Sequence, residues 1–294
     1  MTGTSDRPWT VDGKLCLITG ATSGIGAATA AELAGRGARV LLVARTHDRG
    51  RAAADAIRVK QPGAELEVLT CDLARMADVR GLARSVEDGY GHLDVLVNNA
   101  GVANFTRRTT SDGFEHTLAV NHLAPSLLTH LLRDVMSVPG QARVLTVSSD
   151  NHRTVKSVPF DDLQSERRYK PLEVYNRTKL MNVWFTQVLA TKLTGTGITA
   201  NCLSPGFVRT NLARDATGVF AVFIRLVAPF QTSPDKGAQT TVHLASSPEL
   251  SGKSGGYYRK SALSEPRGLA HDQESARRLW QRSAELTGVR TIID

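Results

Sequence analysis

The chain has 294 residues, 41% hydrophobic and 22% charged, with 36 Lys and Arg against 28 Asp and Glu for a net charge of +8. These proportions suit one soluble α/β unit over residues 1–294 and exclude a disordered or collagen-like chain. The arginines are dispersed and no basic run is interleaved with aromatics, so no nucleic-acid partner is expected.

Three cysteines, Cys16, Cys71 and Cys202, lie far apart without metal-ligand spacing. That pattern fits buried packing in a reducing cytoplasm and predicts no metal site. The opening residues Met1-Thr-Gly-Thr-Ser-Asp-Arg-Pro8 lack the apolar core of a secretory signal. The longest apolar stretch, 219–230, is interrupted by Arg225 and too short to cross a bilayer, so no transmembrane segment is expected.

Apolar runs alternate with helical spacing from residue 14 onward. A strand over 14–19 leads into Thr19-Gly20-Ala21-Thr22-Ser23-Gly24-Ile25-Gly26, ahead of a helix over 25–36. Glycines between a strand and a helix permit a tight turn. They also let the backbone approach a pyrophosphate at the helix N-terminus. A purely structural turn would read alike, and the positions that follow favour the phosphate site. The second strand, 39–44, ends at Ala44-Arg45. An acidic side chain there would hold the free ribose of NAD, whereas a guanidinium suits a 2′-phosphate through bidentate bonds. NADP(H) is therefore the expected cofactor, with a solvated Arg45 as the plainer alternative. The third strand, 66–70, is followed by Asp72-Leu73 and a helix over 75–88. Asp72 is placed to accept from an adenine amine, or else to cap that helix. The fourth strand, 93–98, ends in Asn98-Asn99-Ala100-Gly101, which would approach the adenosine ribose.

A helix over 112–135 holds Asn121 four residues before Pro125. Proline lacks an N–H, so the Asn121 carbonyl loses its helical partner and needs another, for which an ordered water is the natural donor. The fifth strand, 143–148, ends at Ser148-Ser149, and alternation lets one of the two hydroxyls face a site. A helix over 174–194 carries Tyr175-Asn176-Arg177-Thr178-Lys179. Phenol and ammonium there share one face. Tyrosine ionises near pH 10 unaided; an adjacent ammonium favours the phenolate, and Tyr175 can then exchange a proton with a carbonyl or alcohol oxygen. The sixth strand, 198–204, ends at Pro205-Gly206. Near-continuous hydrophobicity in these strands suits a parallel sheet covered on both faces, and the alternation with helices predicts a doubly wound, Rossmann-type fold.

Two long segments, 150–172 and 211–234, sit at the edge of the sheet where ligands bind. Phe220, Phe223 and Phe230 in the second are expected to cover a hydrophobic substrate, unless they pack the sheet edge or a subunit contact.

With these motifs in this order, the chain resembles the short-chain dehydrogenase/reductase family along nearly its whole length. The resemblance implies a catalytic tetrad of Asn121, Ser149, Tyr175 and Lys179. It implies cofactor contacts from Gly20, Thr22, Ser23, Gly24, Ile25, Gly26, Arg45, Asp72, Leu73, Asn99, Ala100, Gly101, Tyr175, Lys179, Pro205, Gly206 and Val208. Thr210 resembles the residue that meets the nicotinamide carboxamide, and transfer from the B face is implied. Ser111-Asp-Gly-Phe-Glu, Val120-Asn-His-Leu and Gly255-Gly-Tyr-Tyr258 are similar to the retinol dehydrogenase and WW-domain oxidoreductase branch. That branch's membrane-anchoring segment has no expected counterpart, and Ala124-Pro125-Ser126 replaces its Gly-His-Phe-like stretch. Retinoid chemistry is not implied. The expected activity is carbonyl–alcohol interconversion in a possible homo-oligomer. A cofactor-binding sensor without turnover and a non-redox epimerase or eliminase are the alternatives.

Overall fold

The computed structural model describes residues 8–206 and 232–290. In its first half β1 (Leu15–Thr19), α1 (Gly24–Ala34), β2 (Arg39–Ala44), α2 (His47–Lys60), β3 (Leu66–Thr70), α3 (Met76–Tyr90) and β4 (Val95–Asn98) alternate. A short α4 (His116–Leu118), a π turn Ala119–Leu123 and α5 (Ala124–Ser137) then run on as one helix. Beyond it come β5 (Ala142–Val147), a 3-10 turn Asp150–Thr154, α6 (Pro171–Lys192) and β6 (Ile198–Ser204). The last elements are α7 (Pro234–Ser246), β7 (Tyr257–Arg259), β8 (Ala262–Ser264) and α8 (Gln273–Thr287).

Among the described residues these strands form one sheet in the order β3-β2-β1-β4-β5-β6-β7-β8. All neighbours are parallel except β8, which returns antiparallel on β7. The residues of β1, β4, β5 and β6 are buried throughout. Leu15, Leu17 and Leu96 face α3, α5, α6 and α8 on one side. Cys16, Ile18 and Val97 face α1, α2 and α7 on the other. Each strand thus lies in two apolar layers at once, which is why its sequence reads as a continuous hydrophobic run. The strand order reverses between β1 and β4, and the carboxyl ends there open the crevice that holds the site.

The helix expected over 112–135 begins at His116. The Glu115 carboxylate accepts the N–H groups of Thr117 (2.9 Å) and Leu118 (2.7 Å) and so caps it. Asp112 lies outside the helix and accepts the Met76 N–H at 2.6 Å. Pro125, without a donor, interrupts the ladder; Ala124 bonds back to Ala119, five residues away, and the chain widens into the π turn that contains Asn121. Pro171 opens α6 at a position where a missing N–H costs nothing, slightly ahead of the expected residue 174. Five further elements lacked a clear sequence signal. They are α2, which buries only Gly50, Ala54 and Ile57, the helices α7 and α8, and the three-residue strands β7 and β8.

Candidate active site

The glycine turn is built by close contact. Gly20 and Gly24 have φ of 65° and 55°, in the left-handed region that only glycine enters freely. A β-carbon on Gly26 would lie 2.3 Å from the Gly20 carbonyl oxygen and 2.5 Å from Asn99 Nδ2. α1 can therefore approach β1 only with glycine there. Ser23 precedes the helix without capping it through its side chain, and no acidic residue occupies the first turn. The leading N–H groups of α1 remain available to an anion. Thr22 is half-buried, Ser23 exposed and Ile25 buried beneath the turn.

Asn99 stitches the turn to β4. Its Nδ2 donates to the Thr19 carbonyl (2.7 Å), and the N–H groups of Asn99 and Ala100 both donate to Thr19 Oγ1 (3.0 Å each). Thr19, which sequence reading passed over, is thus the hub of this corner; its place at the last position of β1 was the available signal. Arg45 is exposed at the end of β2, where Ala44 is buried. Asp72 Oδ1 accepts the Ala74 N–H at 3.1 Å in the loop ahead of α3, whose N-cap position is Arg75, so Asp72 does not cap that helix, and Leu73 is buried beside it.

The side chains of Ser149, Tyr175, Lys179 and Asn121 come from three segments: the turn after β5, α6, which carries both Tyr175 and Lys179, and the π turn. Ser148 turns inward and donates to the Lys179 carbonyl at 2.7 Å, while Ser149 bonds the Tyr175 hydroxyl. Lys179 Nζ lies 5.6 Å from the Tyr175 ring centre and donates to the Val147 carbonyl at 3.0 Å. A β-carbon at Gly101 would stand 3.4 Å from Lys179 Nζ and 3.7 Å from Asn121 Oδ1, so the glycine keeps that approach open. The Asn121 side chain accepts from the Val102 N–H (2.8 Å), donates to the Val102 carbonyl (2.9 Å) and donates to Thr178 Oγ1 (3.1 Å). It pins the loop after β4 to α6. Thr178 and Val102 are further residues that the motifs did not single out.

Electrostatics differ from the simplest expectation. Burial pushes the Tyr175 phenol up to about 12, partly offset by the Ser149 hydrogen bond. Burial also pulls the Lys179 ammonium down to about 8. The depression of the tyrosine expected from the lysine does not appear: burial sets the phenol's shift, and the opposing cause is the Ser149 hydrogen bond. The phenol is protonated at neutral pH, as a proton donor must be.

Pro205 is half-buried, and Gly206, at φ 81°, donates its N–H to Ser204 Oγ at 3.3 Å. Val208, Thr210, Phe220, Phe223 and Phe230 lie outside the described residues. Among the described residues no group of three His, Cys, Asp or Glu side chains is placed to hold a metal ion. No helix among them is long and apolar enough to cross a membrane.

Residues 14–218 match the family model described as short chain dehydrogenase. Over 280 residues the chain is 42% identical to retinol dehydrogenase 12 of Homo sapiens, covering 95% of this chain and 87% of that protein. Its structure is similar to that of an uncharacterised protein from Mycobacterium paratuberculosis, with a TM-score of 0.77, 33% identity and 99% of both chains covered. It is also similar to L-sorbose reductase from Gluconobacter frateurii, complexed with NADPH and L-sorbose. There the TM-score is 0.68 and the identity 25%, over 90% of this chain and 99% of that one. On its motifs, its sheet and these likenesses, the chain belongs to the short-chain dehydrogenase/reductase family, in the retinol dehydrogenase branch.

Proposed function

We propose that this protein is an NADP(H)-dependent oxidoreductase that interconverts a carbonyl and an alcohol on a hydrophobic small molecule, in the cytoplasm. The observation that carries the reading is the placement of Tyr175 and Lys179 on one face of α6, with Lys179 Nζ 5.6 Å from the phenol ring centre and close to Gly101 in the loop after β4. The residues fit a dinucleotide: Gly20, Gly24 and Gly26 bare the backbone, and the uncapped N-terminus of α1 offers donors to a pyrophosphate. Arg45 supports a 2′-phosphate, and Lys179 lies where a ribose would meet Gly101. When bound, the nicotinamide supplies or accepts the hydride.

The chain's own residues handle the proton. Ser149 Oγ accepts the Asn151 N–H at 3.2 Å, and its hydroxyl, turned toward the Tyr175 phenol, is placed to donate instead to a substrate oxygen that comes between them. Tyr175 Oη gives its proton to that oxygen in reduction and takes it back in oxidation. The Lys179 ammonium sits close enough to favour the resulting phenolate. The Asn121 carbonyl, freed by Pro125, supports a water that would return the proton from solvent. Three buried free cysteines are in keeping with a reducing compartment.

Tyr175→Phe tests the reading. The variant should bind NADPH as wild type does and lose at least a thousandfold in kcat on a ketone and aldehyde panel, on the order of 4 kcal/mol. Lys179→Ala should impair both cofactor binding and turnover. A Tyr175→Phe enzyme within tenfold of wild type would remove the phenol from the mechanism.

A further inference from the structure

The turn that carries Ser149 is held from behind by a buried imidazole. His152 is 2% exposed. Its Nδ1 lies 2.7 Å from the Ser149 carbonyl oxygen, and its Nε2 lies 3.3 Å from the backbone nitrogen of Arg267. A carbonyl only accepts and a backbone N–H only donates. Both bonds therefore exist together in one form alone, the neutral ring with its proton on Nδ1. The ring stands edge-on to Tyr257, with centres 4.9 Å apart. Burial lowers the pKa of His152 and keeps the ring neutral.

The charged groups around it are already engaged with one another. Asp150, in the same turn, pairs with Arg153 (3.1 Å) and with Arg259 of β7 (2.9 Å), and accepts from the Tyr257 hydroxyl (3.2 Å). Arg267 meets His152 through its backbone.

The peptide joining Ser149 to Asp150 is consequently pinned at both ends. Its carbonyl takes the His152 Nδ1–H and also the His152 backbone N–H at 3.1 Å, and its N–H donates to Ser204 Oγ at 3.1 Å. The orientation of that peptide places the Asn151 N–H, which Ser149 Oγ accepts. We infer that His152, as the Nδ1-protonated neutral ring, is a positioning residue that aims the Ser149 hydroxyl at the substrate oxygen beside Tyr175. The inference rests on the oxidoreductase reading above. His152 touches no reacting atom; it acts through Ser149.

Three replacements separate positioning from bulk. His152→Phe keeps a ring and loses both bonds. In His152→Asn, Nδ2 reaches where Nδ1 lay, restoring the bond to Ser149. In His152→Gln, Oε1 reaches toward Arg267 and leaves the Ser149 bond unmade. With NADPH and a carbonyl that wild type reduces, His152→Phe should lose at least tenfold in kcat while its dissociation constant for NADPH stays within twofold. His152→Asn should return to within threefold of wild-type kcat, and His152→Gln should not. If His152→Phe does not fold, the Asn and Gln variants decide alone. Equal activity in those two, or a His152→Phe enzyme within threefold of wild type, overturns the inference. Should wild type reduce no carbonyl on a broad panel, the oxidoreductase reading fails. The imidazole is then read directly by ¹⁵N NMR, its resonances identified by their loss in His152→Asn. Nδ1 protonated with Nε2 bare at pH 7 is the expected result; the opposite tautomer, or a charged ring, overturns the assignment.

Discussion

Gly26 illustrates how one missing atom sets a site. Its would-be β-carbon lies 2.3 Å from backbone and 2.5 Å from the Asn99 amide that ties the turn to β4. Gly26→Ala must push α1 off the turn, costing roughly 1–3 kcal/mol of stability. NADPH affinity should fall at least tenfold, as read by fluorescence titration. Gly81→Ala on α3 is the control, since nothing lies within 4 Å of its would-be β-carbon. Its stability should rise by up to about 1 kcal/mol. A Gly26→Ala protein with normal NADPH affinity would detach the turn from cofactor binding. Arg45 is the second residue with a decisive test. A β-carbon on Gly50 would come 3.0 Å from Ala44 Cβ, so an acid placed at 44 would disturb packing, and Arg45→Ala alone is the cleaner variant. It should lower kcat/KM for NADPH about tenfold or more while sparing NADH, consistent with a charged hydrogen bond of roughly 1.5–3 kcal/mol. Equal wild-type efficiency on the two cofactors would refute the assigned preference.

Individual elements are fastened at ends remote from the chemistry. The last carbonyls of α7 are closed by a buried guanidinium. Arg143 donates to Leu244 (2.7 Å), Ala245 (3.3 Å) and Ser247 (2.8 Å) and lies 4.1 Å over the Trp9 ring. The Trp9 indole N–H donates to Ala245 at 2.8 Å. Helix C-termini carry partial negative charge and orphan carbonyls, so this cap serves both needs. Desolvation lowers the Arg143 pKa to about 10, and the side chain stays charged at neutral pH. Arg143→Met would fill the space and remove the guanidinium from the Leu244 and Ser247 carbonyls, while Ala245 keeps the Trp9 N–H, with an expected loss of about 2–4 kcal/mol in urea unfolding. Trp9→Phe removes one bond and should cost about 1 kcal/mol. Similar losses in the two would mean that packing, and not the cap, matters.

At the scale of the molecule, α8 covers the outer side of α5 and α6. Trp280 stacks on Phe185 with ring centres 5.5 Å apart and lies 4.7 Å from His130. Ser283 bonds His122 at 2.8 Å. α5 and α6 thus carry a helix of their own chain on that side. Enclosure leaves His122 fully buried, and desolvation lowers its pKa to about 4. The unfolded chain therefore binds more protons than the folded one between roughly pH 6.5 and 4. Stability present above that window is lost as pH falls through it, by up to about 3 kcal/mol for this residue. His130 and His152, also lowered by burial, act in the same direction. Urea midpoints at pH 7.5 and 5 should fall in wild type and fall less in His122→Gln; parallel decreases in both would exclude His122 as the source.

Much of this was legible in the chain because the signals are local. A strand buried on both faces is apolar at most positions, its few polar side chains, such as Arg143 and Asn201, being satisfied by hydrogen bonds, so β1, β2, β4, β5 and β6 announce themselves within a residue or two. Glycine, proline and the Tyr-x-x-x-Lys spacing act through backbone geometry that neighbours hardly alter, which is why the turn at Gly20–Gly26 and the break at Pro125 could be read in advance. Partners distant in sequence could not. Whether Ser148 or Ser149 faces the crevice depends on β5 lying against α6, and the pKa of Tyr175 depends on how deeply that packing buries it. The links from Asn99 to Thr19, from Asn121 to Val102, and from His152 to the Ser149 turn and Arg267 exist only after the sheet has assembled. Sequence periodicity determined where strands, turns and motifs occur; the assembled sheet decided which hydroxyl, amide and imidazole meet, because those contacts join segments that no local rule relates.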